Sequence, residues 1–184
     1  MKKTLVLIGW LVAAAVVRGD IIPSFEFATP SGGNTIWGYH IDITSGQQVT
    51  TGDFFTIYDF GPFIPGSNIQ PTGWTFSSSL VGPTPSSVAP PDNPNVLNLT
   101  WTYSGTTIPT GTELGPFSVT IAGTQTQSQS SYFAAQATNS SGTSKINNVG
   151  RIPVPVPVPE PTTLSLLALG MAGAAIRKLR QRSR

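Results

Sequence analysis

The chain contains no cysteine and a single histidine, His40, and only 10% of its 184 residues are charged. Each shortage removes some chemistry. Without cysteine there are no disulfides, no thiolate zinc sites and no cysteine nucleophile. One imidazole leaves little for acid–base catalysis. An ordinary soluble domain carries about 25% charged residues, and here the bases are scarcest in the middle. Eight of the ten Lys and Arg sit at the ends: Lys2, Lys3, Arg18, Arg177, Lys178, Arg180, Arg182 and Arg184. Between Asp20 and Pro159 only Lys145 and Arg151 are basic, against the acids Asp20, Glu26, Asp42, Asp53, Asp59, Asp92 and Glu113. Phosphate backbones require clustered Lys and Arg, so nucleic acid is excluded as a partner. Apolar runs are also short, and none reaches the roughly 20 residues of an untilted membrane span.

Small, hydroxylated and turn-forming residues are abundant instead: 23 Thr, 19 Ser, 19 Gly and 17 Pro. With 39% hydrophobic residues the chain can still build a core, and its length supports one domain.

The first 19 residues read as a secretory signal. Lys2 and Lys3 form a basic start, and Thr4 to Val17 is uncharged and largely apolar. Val17-Arg18-Gly19 places cleavage after Gly19, with a cut nearer Ala15 as the alternative and a retained N-terminal anchor as the plain reading.

The other end has three parts. Residues 151–161 form a proline-rich spacer, in which Ile152 to Pro161 (IPVPVPVPEP) alternates Pro with Val. Proline fixes φ and lacks an amide donor, so this run is expected to stay out of any sheet and form a polyproline II rod. Residues 162–176 (TTLSLLALGMAGAAI) are uncharged and mostly apolar, a short transmembrane helix that needs some local thinning of the bilayer. Residues 177–184 (RKLRQRSR) are a basic tail, which the positive-inside rule keeps cytoplasmic.

Val158-Pro159-Glu160-Pro161, then Leu164 to Leu169, Gly170, Gly173 and the terminal arginines resemble the PEP-CTERM sorting signal. The resemblance covers Val154 to Arg184. It implies recognition by exosortase, a membrane-embedded enzyme that processes the signal, in a Gram-negative producer of exopolysaccharide. It also implies that Pro159, Glu160 and Pro161 are the sorting motif, and that Arg177, Lys178, Arg180 and Arg182 hold the tail in the membrane. A plain, unprocessed C-terminal anchor is the simpler alternative.

The stretch 20–150 is the exported domain. Leu97, Leu99, Trp101 and Tyr103 alternate with polar residues, as do Trp37, Tyr39, Ile41 and Ile43, and Phe117, Val119 and Ile121. Such period-two runs predict strands with one buried face. Weaker strands are expected at Ile22 to Ala28, Asp53 to Phe60, Trp74 to Ser79 and Ser131 to Ala137. Roughly seven strands joined by Gly/Pro loops predict an all-β fold, an antiparallel β-sandwich of Ig-like or jelly-roll-like type. Val81 to Pro94, with five prolines, reads as a long surface connection, Thr124 to Ser131 as a loop or extended edge, and Asn139 to Asn148 as a flexible turn.

Candidate chemistry inside the domain is sparse. His40 lies two residues from Asp42 on the wet face of its strand, and no G-x-S-x-G elbow accompanies it. Asp53 and Asp59 flank the run Phe54 to Tyr58, too far apart along a strand to act as paired catalytic carboxylates. Asp92-Asn93-Pro94-Asn95 offers oxygen ligands to calcium but lacks EF-hand spacing, so an Asx turn is the default. Trp37, Tyr39, Trp101 and Tyr103 share apolar faces and belong to a core. Trp74, following Gly73, is the best candidate for an exposed sugar-stacking ring. No metal, cofactor or enzymatic activity is expected. The two functional readings are a non-enzymatic surface or matrix protein acting in exopolysaccharide or biofilm, and a carbohydrate-binding module using exposed aromatics. Both leave room for contact with extracellular polysaccharide, and the tail adds membrane lipid as a partner.

Overall fold

The computed structural model describes residues 20–156. The signal segment 1–19, the sorting motif at 159–161, the apolar stretch 162–176 and the basic residues 177–184 lie outside the described residues. No helix occurs among the described residues, and so none that is long and apolar enough to cross a membrane.

Among the described residues nine strands succeed one another: β1 (Ile21–Ser31), β2 (Asn34–Ile43), β3 (Gln47–Gln48), β4 (Phe54–Ile57), β5 (Trp74–Ser79), β6 (Asn98–Tyr103), β7 (Glu113–Ala122), β8 (Ser128–Asn139) and β9 (Lys145–Pro155). All pairings are antiparallel. One sheet has the order β1-β2-β7. The second runs β5-β6-β4-β8, with β9 along the far side of β8 and the short β3 pairing with the C-terminal end of β8.

Local chemistry explains the corners. β1 and β2 are joined by Gly32 and Gly33, whose φ values of 58° and 84° suit the tight hairpin turn that requires two left-handed residues. Opposite Phe27, Gly38 lies under that ring, and a Cβ there would come within 2.3 Å of it.

The apolar faces of the two sheets meet in one core. Trp37, Tyr39 and Ile41 from β2, and Phe117, Val119 and Ile121 from β7, face Phe55, Leu99, Trp101 and Phe133 of the larger sheet. Phe117 is the hub: its ring meets Phe55 at 5.1 Å, Trp74 at 5.1 Å and Trp101 at 5.9 Å between centroids, all edge-to-face. Such pairs add to what burial of the rings contributes. The strands expected from alternation at 37–43 and 117–121 lie within β2 and β7, and that at 97–103 coincides with β6 except for Leu97, which precedes it.

Two expectations need correction. Lys145 to Asn148 is not a flexible turn, because the turn is confined to 140–144 and β9 begins at Lys145. Asn139 closes that turn, its Oδ1 accepting the amides of Thr143 at 2.8 Å and Ser144 at 3.1 Å. Nor are residues 151–155 part of a polyproline rod. They complete β9, paired with β8 from Ser128↔Pro155 to Ser131↔Ile152.

The physical reason lies in the two-residue repeat of a strand. Val156 N–H donates to Gln127 O at 3.0 Å, so residues 152, 154 and 156 direct their donors at β8. Pro153 and Pro155, half a repeat out of step, turn their donorless nitrogens to the open edge, where a strand tolerates proline. The interleaved Ile152 and Val154 are 1% and 0% exposed and join the core.

Candidate functional site

Several polar groups of the domain serve turns and loops. His40 Nε2 stands 3.8 Å from Asp42 Oδ2, both partly exposed on the face of β2 away from the core. Asn93 makes the Asx turn, its Oδ1 accepting the Asn95 amide at 3.1 Å while its carbonyl accepts Val96 N–H at 2.9 Å. Asp59 Oδ1 accepts the Asn93 amide at 2.9 Å, and Asp92 Oδ1 accepts Asn98 Nδ2 at 2.9 Å. The first bond ties the loop before β6 to the segment after β4, and the second ties it to the start of β6. Among the described residues no three His, Cys, Asp or Glu side chains gather as metal ligands.

Trp74 corrects the sugar-stacking expectation. It is the first residue of β5, 5% exposed, directly opposite Tyr103 and 5.1 Å from its ring. The alternation Trp74-Thr75-Phe76 matches that of Trp101 and Tyr103 on β6, and this sends Trp74 inward although a turn glycine precedes it. Trp37, Tyr39, Trp101 and Tyr103 are buried as well. None of the five rings offers a free face.

The long proline-rich connection after β5 is a strap. It crosses the outer face of the larger sheet, where Pro83 O accepts Thr56 Oγ1 at 3.1 Å and Tyr58 Oη at 2.9 Å. Thr56 and Thr100, with hydroxyls 3.0 Å apart, are buried beneath it.

Side-chain contacts hold β9 along its length, and no local pattern announces it. At its start, Lys145 Nζ binds Asp53 Oδ1 at 2.6 Å and donates to Thr138 Oγ1 at 2.8 Å. Asp53 is fully buried, and its other oxygen accepts Thr50 N–H at 2.7 Å and Thr138 Oγ1 at 2.8 Å. A buried carboxylate demands such complete pairing. The cluster joins the turn before β4 to β8 and β9. Residues 53 and 145 are 92 positions apart, which is why spacing does not reveal them.

At the far end of β9, the Tyr39 hydroxyl reaches across from the smaller sheet to donate to Pro153 O at 2.9 Å. That carbonyl faces the open edge and has no strand partner, so the phenol satisfies it. Burial pushes the Tyr39 phenol well above the ordinary tyrosine range, and it remains a donor. On the outer face, the Arg151 guanidinium lies 4.7 Å over the Tyr132 ring, with Nη2 donating to Tyr132 Oη at 2.9 Å. Ile152 and Val154 anchor the strand from within. β9 is thus held at its start, its middle and its end, and the last backbone bond of the domain comes from Val156.

The residues after Val156 give this clamp its significance. Residues 157–181 match the family model of the PEP-CTERM protein-sorting motif. The tail carries a match to the PEP-CTERM sorting motif. The match is confined to 25 residues, counted inclusively from 157 to 181, and begins at the residue after the last described one. Pro159, Glu160 and Pro161, together with Arg177, Lys178 and Arg180, fall within the match, while Arg182 lies just past it. No curated protein matches the chain. The sorting signal is therefore joined directly to the clamped strand, without an intervening domain or long linker. Glu160 lies four positions beyond Val156, a covalent reach of at most about 14 Å.

Proposed function

We propose that this protein is an exported, non-enzymatic surface or matrix protein, delivered by its sorting tail and acting structurally in exopolysaccharide or biofilm. The carrying observation is the PEP-CTERM motif at 157–181, which implies recognition by exosortase in the membrane. Residues 1–19 supply the signal for export, and 162–176 hold the precursor in the bilayer with 177–184 on the cytoplasmic side. We read the two facing sheets as a β-sandwich of Ig-like or jelly-roll-like type, the cargo of this device.

The junction at Val156 shapes how the cargo is handled. With Glu160 within about 14 Å of the last strand, the folded domain stands close to the membrane during sorting. A cut near Glu160 leaves β9 whole, because Ile152, Val154 and the Tyr39–Pro153 bond all precede it. The released domain keeps its full core. Carbohydrate binding through exposed aromatics is the weaker reading, since the rings that would carry it are buried.

The test is replacement of Pro159, Glu160 and Pro161 by alanines in a host that has the sorting enzyme. Membrane insertion should persist and processing should stop. Maturation of that variant to the wild-type mass would reduce the tail to an anchor.

A further inference from the structure

Asp20, immediately before β1, is a buried acid with no ion-pair partner among the described residues. It is 1% exposed. Its Oδ1 accepts the Ile21 amide at 2.7 Å, while Oδ2 has no partner. The backbone around it is fully engaged with the end of β2: the Asp20 nitrogen donates to Thr44 Oγ1, and its carbonyl accepts Thr44 N–H at 3.1 Å. Burial pushes the carboxyl up to about 8, and the negative Asp53 adds to the rise. Lys145 is bound to Asp53 and makes no ion pair with Asp20. A native fold rarely leaves a buried carboxylate oxygen unpaired.

The missing charge can come from the chain itself. Hydrolysis of the Gly19–Asp20 peptide adds water across the bond: Gly19 leaves as a carboxylate, and the Asp20 nitrogen keeps its electron pair and takes up a proton. That nitrogen is already seated on Thr44 Oγ1, and covalent geometry keeps it within about 5 Å of Oδ2.

We infer that Asp20 is the mature N-terminus, and that its buried carboxylate is the built counter-ion of the α-ammonium created when the signal is removed. The inference rests on the export reading and adds a purpose to the cleavage position: processing completes the fold. Before the cut, the carboxyl is most easily buried neutral. Its folded value of about 8 exceeds the ordinary 3.8, so the folded state holds more protons between those limits. Its contribution is then full below about pH 4 and is lost as pH rises to about 8. After the cut, the adjacent ammonium favours the ionised form, and this loss shrinks.

The experiment compares residues 20–184 in detergent, made once with Asp20 first and once with Gly19 in front of it. Melting is followed from pH 4 to 8, with and without Asp20→Asn. The chain starting at Asp20 should melt about 4 °C or more higher at pH 7, and the gap should narrow toward pH 4. Asp20→Asn should lower melting in the chain with the free terminus, and leave it unchanged or raised behind Gly19. Equal pH profiles, or the same effect of Asp20→Asn in both chains, would overturn the charge pairing and leave export standing. N-terminal sequencing of the exported protein separates the two ideas: a first residue other than Asp20 would overturn the processing position whatever the melts give.

Discussion

Two proline-rich stretches of this protein meet opposite fates. Val81 to Pro94 and Ile152 to Pro161 look alike in composition, and both read as segments that cannot enter a sheet. The first is indeed a strap, bonded to the sheet face through Pro83 O and Thr84. The second begins inside the sheet, as the end of β9. The difference is spacing. Prolines at 83, 85, 90, 91 and 94 keep no period and would put missing donors on both sides of a strand. Prolines at 153 and 155 recur every second residue, so every missing donor faces the one open edge. Proline content says that a segment is restricted; proline period says whether an edge strand can hold it.

The strongest way to break this comparison is to place a charge in the buried part of β9. Val154→Asp would put an unpaired carboxylate into the core, an expected loss of more than about 3 kcal/mol. Thermal unfolding should show it as a large fall in Tm. A neutral result would mean that residues 152–155 are spacer after all. Removing the clamp at the start of β9 ranks next. Lys145→Met strands the buried Asp53 carboxylate, and because Lys145 is 42% exposed water can recover part of the cost. About 1–3 kcal/mol is expected in urea unfolding. Tyr39→Phe should cost about 1–2 kcal/mol, since Pro153 O loses its donor in a buried setting.

The smallest effect sharpens the comparison most. Pro153→Val with Pro155→Val keeps strand propensity and restores two amide donors on the open edge. Monomer stability should change by less than about 1 kcal/mol, whereas self-association should rise because the edge can now pair. Light scattering reads the second effect and urea unfolding the first. An equal double change on the strap, Pro83→Val with Pro85→Val, should leave association unchanged.

The same contrast marks how far the fold is legible in the sequence. β2, β6 and β7 are readable because alternation writes their buried faces directly into residues 37–43, 97–103 and 117–121. The sorting motif is readable for a related reason: it is linear, and recognition depends on residues adjacent in the chain. β9 is hidden because its prolines mask the alternation of Ile152 and Val154, and because only its long-range pairing with β8 makes it a strand. The Asp53–Lys145 pair is hidden by the 92 positions that part its members. Trp74 is misplaced when a turn glycine outweighs the pattern shared with β6. Local rules lose wherever a distant partner decides the outcome.

The most direct test is the intact mass of the protein recovered from outside the cell. A chain that begins at Asp20 and ends near Glu160, retaining all of β9 and lacking the apolar and basic segments, is the predicted result. A recovered chain still carrying residues 162–184, or the same shortened mass from the variant with alanines at 159–161, would contradict it.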